Sequence, residues 1–203
     1  MIENLPSRAI ILDTETTGLG KAHPVEIGFL HFPIFEAISG NNFLSELQYT
    51  RKYRELFRPR VPIQAGAQKV HGIKLSDVIG KPYYTADRIE EEIPDSVEYL
   101  VGHNISFDYQ ILQCEGSGFE NAITIPRLKR ICTLKLARKL WPELKSKALT
   151  KIVNEYCPDV AANFSKVAHG ALADCFLTAT LLWVMSEEFE IKTWEEFYEL
   201  QES

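Results

Sequence analysis

Ala9-Ile10-Ile11-Leu12-Asp13-Thr14-Glu15-Thr16 is the stretch whose reading decides the fold. Its first half is a short, branched apolar run, and it gives way to polar residues and then Gly18. A run apolar at successive positions, not at every second one, is covered on both faces, which predicts a central strand of a sheet packed between layers. The two-residue spacing of Asp13 and Glu15 puts both carboxylates on one face, at the C-terminal end of the strand, where open α/β sheets hold their sites. A sheet otherwise made of Ile and Leu does not bury two like charges without a strong counter-charge, and the alternative is a pair exposed at a loop edge. Carboxylate oxygens suit hard cations such as Mg²⁺ or Mn²⁺.

Working outward, residues 25–32 read as a second strand, 40–42 as a turn, and 47–57 as a polar, aromatic strand ending before Pro59. A short helix and loop are expected over 64–76 and an acidic amphipathic helix over 87–93. Residues 97–101 form an apolar run closed by Gly102, and Phe107, Ile111 and Leu112 then recur at helical spacing, so this strand feeds a helix. A further strand is expected at 128–133, then a helix over 134–140 stopped by Trp141-Pro142 and another over 148–156 ending before Pro158. The last long helix is expected from about Gly170, with Leu172, Phe176, Ala179 and Trp183 as its apolar stripe. The whole is α/β, with a central mixed β-sheet flanked by α-helices.

The composition, 45% hydrophobic and 25% charged over 203 residues, is that of an ordinary globular domain and excludes fibrous and disordered classes. No window approaches the roughly 20 apolar residues of a bilayer span, and the N-terminus lacks a signal-peptide pattern, so no membrane partner and a cytoplasmic location are expected. Cys114, Cys132, Cys157 and Cys175 form no CxxC pair and read as reduced thiols, not a zinc ribbon or redox dithiol. One domain over residues 1–185 is expected, with an acidic helix or tail at 186–203 packed back on it through Trp194, Phe197 and Tyr198.

Net charge is −6, which taken alone argues against a nucleic-acid partner. The tail carries all of it, with seven Glu against Lys192. Residues 126–151 hold nine Lys/Arg against Glu143, and 51–60 hold five against Glu55. Such runs are ordinarily solvated faces, but here two could approach a phosphate backbone.

Two more constellations stand out: Gly102-His103-Asn104-Ile105-Ser106-Phe107-Asp108 at a strand-to-helix junction, and His169-Gly170-Ala171-Leu172-Ala173-Asp174 at a helix start. Singly, each acid is an ordinary first-turn carboxylate and each histidine an ordinary capping or surface residue. Jointly, Asp-Thr-Glu-Thr-Thr-Gly-Leu, His-Asn-x-x-Phe-Asp and His-x4-Asp resemble the three motifs of the proofreading-type 3′-to-5′ exonucleases named for Asp-Glu-Asp-Asp with an added His, which have a ribonuclease-H-like fold. The segment from Phe57 through Val70-His71-Gly72-Ile73 resembles that family as well, and Ile131 through Trp141-Pro142 is most similar to its bacterial exonuclease-X type. Residues 33–56 are longer than the family's usual hairpin, Gly66 stands where an acidic contact is common, and the tail after Ser186 matches no family motif.

The resemblance implies a metal-dependent hydrolase that releases 5′-mononucleotides from DNA 3′ ends, with two Mg²⁺ or Mn²⁺ ions. In that reading Asp13 bridges both ions, Glu15 and Asp174 hold the one near the attacking water, and Asp108 supports the other directly or through water. His169 is the general base, its ordinary pKa of about 6.5 suiting neutral pH. Leu19 wedges against the last base, Thr16 offers its backbone amide, His71 reaches toward the terminal phosphate or sugar, and Asn104 and Phe107 line the penultimate nucleotide. Rival readings are a polymerase-bound proofreading subunit, an RNA 3′-trimming nuclease and an inactive nucleic-acid-binding module. The last predicts loss of one of the five catalytic residues, and all five are present. A second copy of the chain and a polymerase or repair protein are partners compatible with the sequence.

Overall fold

The computed structural model of the chain describes residues 7–32, 47, 50–164 and 170–203. Its strands are β1 (Ala9–Thr16), β2 (Pro24–Phe32), β3 (Lys52–Leu56), β4 (Tyr99–Gly102) and β5 (Lys129–Cys132). They form one sheet in the order β3-β2-β1-β4-β5. β2 is antiparallel to β1 and β3, while β1, β4 and β5 are parallel, so the sheet is mixed as expected. The α-helices among the described residues are α1 (Ala65–His71), α2 (Leu75–Val78), α3 (Ala86–Glu90), α4 (Ile105–Leu112), α5 (Thr124–Arg127), α6 (Thr133–Leu140), α7 (Leu149–Tyr156), α8 (Pro158–Phe164), α9 (Ala171–Phe189) and α10 (Trp194–Glu202).

Side-chain alternation along β1 divides the core in two. Ala9 and Ile11 pack with Leu30, Phe32, Val101 and Ile131 beneath α6, α7, α9 and α10. Ile10 and Leu12 turn to the other layer, with Ile27, Phe29, Leu100 and the buried residues of α3 and α4. The central strand is apolar at successive positions because it is covered on both sides. Asp13 and Glu15 continue the parity of Ala9 and Ile11, which places them on the α9 side of the sheet.

Several boundaries differ from expectation. The strand expected over 47–57 begins only at Lys52, because Thr50 turns back and donates from its N–H and Oγ1 to the Leu47 carbonyl (3.3 and 2.8 Å). The turn expected at 40–42 lies outside the described residues. The helix expected over 87–93 ends at Glu90, where the bonds from Glu92 to Ile89 and from Ile93 to Glu90 tighten into three-residue turns before Pro94. Pro158 ends nothing more than α7: it opens α8, where a fixed φ and a missing N–H are tolerated in a first turn. The stripe expected to bury α9 is only in part its buried face, since Ala179 alone of its four residues is fully buried. Leu172, Phe176 and Trp183 are half-buried, whereas Cys175, Leu181, Leu182 and Met185 on the remaining faces are fully enclosed.

The acidic tail expected from residue 186 starts inside α9, which runs on to Phe189, and its remainder forms α10. Thr193 opens it with a capping box, its Oγ1 accepting from Glu196 N–H (3.1 Å) while Glu196 Oε2 accepts from Thr193 N–H (3.2 Å). Trp194 and Phe197 are buried. Gln201 pairs with the free edge of β5 as a strand would: its Oε1 accepts from Cys132 N–H (2.8 Å) and its Nε2 donates to the Arg130 carbonyl (2.5 Å). Among the described residues no helix is long and apolar enough to cross a membrane.

Candidate active site

The C-terminal end of β1 is where the fold gathers its acids. Asp13, Glu15 and Asp174 each bring a carboxylate oxygen within 4.8 Å of the other two. The first two come from alternate positions of one strand, and the third from the first turn of α9. Asp13 lies opposite Gly28 in the antiparallel register and Glu15 opposite Glu26. A side chain at Gly28 would place its Cβ 2.5 Å from the Leu172 backbone nitrogen, so glycine there is what lets α9 approach the sheet this closely.

Asp108 is buried beside this group but reaches it from the other layer. Its Oδ1 accepts from the backbone N–H of Thr14 (3.0 Å) and from Thr14 Oγ1 (2.8 Å). Thr14 has the opposite parity to Asp13 and Glu15, which explains why Asp108 stands outside the group of three.

Burial and mutual repulsion push these carboxyls far from their ordinary range. Glu15 is raised to about 8, first by burial and then by Asp174, Glu26 and Asp108. Asp13 is raised well above an ordinary aspartate, by burial and then by Asp108, Asp174, Glu15 and Glu26. Asp108 is raised to about 7 by burial, against the pull of the Thr14 hydrogen bonds. Every charge acting on Asp13 and Glu15 is another carboxylate. An all-oxygen set of carboxylate donors is the chemistry that suits hard divalent cations such as Mg²⁺ or Mn²⁺. Asp13, Glu15 and Asp174 could hold one such ion directly.

The loop after β1 is built to be rigid around an exposed tip. Thr17 N–H donates to the His23 carbonyl (2.9 Å), His23 N–H to Thr17 Oγ1 (3.0 Å) and Gln64 N–H to the Thr17 carbonyl (2.9 Å). Gly18 (φ +144°) and Gly20 (φ +82°) supply the turn, and Leu19 between them is 79% exposed. Thr16 is buried, and its carbonyl faces His71 Nε2 at 3.1 Å. Because Ile73 N–H must donate to His71 Nδ1 (3.0 Å), the proton is on Nε2 and the ring is a neutral clasp between the loop and the end of α1. Burial lowers its pKa despite the bond to Thr16. Both ring nitrogens of His71, the residue expected to reach toward the terminal phosphate or sugar, are thus met by backbone groups.

Asn104 is exposed, adopts the left-handed conformation (φ +75°) and precedes α4, while Phe107 is half-buried one residue before Asp108. His169 lies outside the described residues.

Four residues with structural roles at the site had been given none. His103 donates from Nε2 to the Lys147 carbonyl (2.9 Å), so its Nδ1 accepts from Thr133 Oγ1 (3.0 Å), and burial drops its pKa to about 4. Thr14 orients Asp108. Gly28 and Glu26 dock α9 on β2, and a lone acid in the apolar strand 25–32 was the signal available for Glu26.

The basic runs are partly occupied. Lys129 pairs with Glu195 (2.7 Å), Lys135 with Glu202 (3.9 Å), Arg54 with Glu26 (2.6 Å) and Arg51 with Glu92 (2.5 Å), and Lys139 Nζ donates to the Leu200 carbonyl (2.7 Å). Part of the charge of the two runs is thus matched within the chain.

The RNase T exonuclease family profile matches residues 10–182. Exodeoxyribonuclease 10 of Escherichia coli is 33% identical over 178 residues, covering 85% of this chain and 66% of its own length. The DNA polymerase III epsilon subunit of Buchnera aphidicola is 33% identical over 190 residues, covering 88% of this chain and 73% of its own. The chain thus spans about two thirds to three quarters of these relatives. A solved structure of exonuclease X in complex with 5′-overhanging duplex DNA superposes with a TM-score of 0.66 at 27% identity, covering 95% of this chain and 99% of that one.

Proposed function

The chain belongs to the exonuclease family, and from that premise we propose that it is a metal-dependent 3′-to-5′ exodeoxyribonuclease of exonuclease-X type, built as one catalytic domain over residues 1–185 with the segment 186–203, the end of α9 and then α10, packed on it. The observation that carries the reading is the convergence of Asp13, Glu15 and Asp174, with Asp108 beside them, at the end of β1. Two divalent cations supply, when bound, the neutralisation of charge growing on phosphate and the activation of water.

The residues do the rest. Asp13, Glu15 and Asp174 would hold one ion, and Asp13 with Asp108 would hold the other. His169, by its motif, takes a proton from the attacking water. Oxygen of that water bonds to phosphorus, the bond to the 3′ oxygen of the penultimate nucleotide breaks, and that oxygen ends protonated, which releases a 5′-mononucleotide. Leu19, exposed at the tip of the loop after β1, would wedge against the terminal base, a role its exposure supports. His71 acts by bracing the Thr16 carbonyl, so that the Thr16 backbone is held for the terminal nucleotide. Asn104 and Phe107 line the next one. The likeness to exonuclease X on 5′-overhanging duplex DNA favours a recessed 3′ end as substrate.

The test is digestion of 3′- and 5′-labelled DNA and RNA oligomers, single-stranded and recessed, with Mg²⁺, with EDTA, and with Asp13→Ala. Mononucleotides released from DNA 3′ ends only with Mg²⁺ and intact Asp13 support the reading. No release from either polymer, or an active Asp13→Ala, ends it. Similarity to the epsilon subunit favours a second reading, a proofreading subunit, which predicts co-elution with a polymerase.

A further inference from the structure

Glu26 belongs to no motif and takes no part in the chemistry above, yet it is wholly buried in β2. A carboxylate in that position is costly unless both oxygens are satisfied. Both are. Oε1 accepts from Arg54 Nε on β3 (2.6 Å), whose side chain is 58% exposed, and Oε2 accepts from the backbone N–H of Ala171 (2.8 Å), the first residue of α9. Gly170, which precedes the helix, has no side chain to cap it, so Glu26 performs the capping from a neighbouring strand.

The same stretch of β2 grips the helix twice more. Gly28 admits the Leu172 backbone, and Cys175 Sγ donates to the Gly28 carbonyl (3.2 Å). Glu26 and Gly28 are the register partners of Glu15 and Asp13. The first turn of α9 is therefore fastened at the two positions that face the strand-borne carboxylates, and Asp174 lies three residues after the capped Ala171.

We propose that Glu26 is a positioning residue of the carboxylate site: by anchoring Ala171 it sets the distance of Asp174 from Asp13 and Glu15, while Arg54 balances its charge. The inference rests on the reading of those three carboxylates as a cation site. It requires that reach matters more than charge. Glu26→Asp keeps the charge but shortens the side chain by one methylene, whereas Glu26→Gln keeps the length and an oxygen that accepts from Ala171.

The experiment is calorimetric titration of the full chain with Mn²⁺, together with hydrogen exchange at the Ala171 amide. Glu26→Asp is expected to weaken Mn²⁺ binding roughly tenfold and to speed Ala171 exchange, the scale seen when a group that orients a metal ligand is lost. Glu26→Gln is expected to keep most of both. A Glu26→Asp variant with wild-type Mn²⁺ affinity overturns the proposal, and so does a Glu26→Gln variant that binds Mn²⁺ more weakly than Glu26→Asp. Wild-type protein that binds no Mn²⁺ instead sinks the cation-site reading, so the two failures are told apart.

Discussion

Two regions of the molecule gather acidic side chains and treat them in opposite ways. At the end of β1, Asp13, Glu15, Asp108 and Asp174 are crowded and largely buried, and the carboxyls of Glu15 and Asp108 are pushed up to about 8 and about 7. Along α10 the acids stand on the surface beside the lysines of β5 and α6, and Lys129 with Tyr99 holds the Glu195 carboxyl below its ordinary range. The tail's charges are matched inside the chain and by water, so they contribute little to stability. Those of the site crowd one another, the charges that raise Asp13 and Glu15 being other carboxylates, which is the setting that favours a divalent cation. The net charge of −6 adds these two populations together and so hides the one that matters.

The sharpest break is Asp13→Asn. It should lower turnover roughly a thousandfold, the equivalent of about 4 kcal/mol of lost charge stabilisation. In EDTA the same substitution should raise the melting temperature, because it removes one member of a like-charge group, by about 2–4 °C for each kcal/mol relieved in a chain of this size. A lower melting temperature in EDTA would mean the crowded carboxylates are not costly. Next in size is Gly28→Ala. With a Cβ 2.5 Å from Leu172 N, α9 must move, costing roughly 1–3 kcal/mol of overpacking and weakening Mn²⁺ binding along with stability. Unchanged Mn²⁺ titration in the folded variant would separate helix docking from the site.

Proton linkage gives a third test. Glu15 and Asp108 have folded pKa values raised above the ordinary 4.5 and 3.8, so between those values and about 8 the folded state binds more protons than the unfolded one. Their contribution is greatest below the unfolded values and is lost as pH rises through about 7 and about 8. His31 and His103, lowered to about 4 from 6.5, act the other way, since their contribution is complete above 6.5 and lost as pH falls. From pH 6.5 to about 8 only the carboxylate effect remains. Melting temperature in EDTA should fall over that window, and Mg²⁺ should flatten the fall. A rise with pH in EDTA would contradict the assignment.

Legibility in the sequence followed range. β1 was readable from eight residues because burial on both faces leaves a continuous apolar run, and the end of that run located Asp13 and Glu15 without any tertiary information. Asp108 and Asp174 became readable only through their motifs, since an acid in a first helical turn is common. What escaped was set by contacts distant in sequence. Glu26 caps a helix 145 residues away, and Gly28 matters because of Leu172. His71 reads as a residue facing substrate until Thr16 and Ile73 are seen to occupy its ring. The α9 stripe misled for a related reason: periodicity marks a preferred face only where one face meets solvent, and this helix is covered on most sides.

The smallest effect tests the tail. If α10 is held by shape and by edge pairing, with charge secondary, the residue to remove is Gln201, whose amide satisfies the Cys132 N–H and the Arg130 carbonyl at the open side of β5. Gln201→Ala should cost about 1–2 kcal/mol for two hydrogen bonds, and it should expose a strand edge that promotes concentration-dependent association, detectable by sedimentation. Glu195→Gln removes the charge facing Lys129 but keeps an oxygen to accept from Tyr99 Oη, so its melting temperature should stay close to wild type at any salt concentration. Should Glu195→Gln prove the more damaging of the two, the tail too would be an electrostatic device, and the contrast between a surface that matches its charges cheaply and a site that leaves them for a cation would fail.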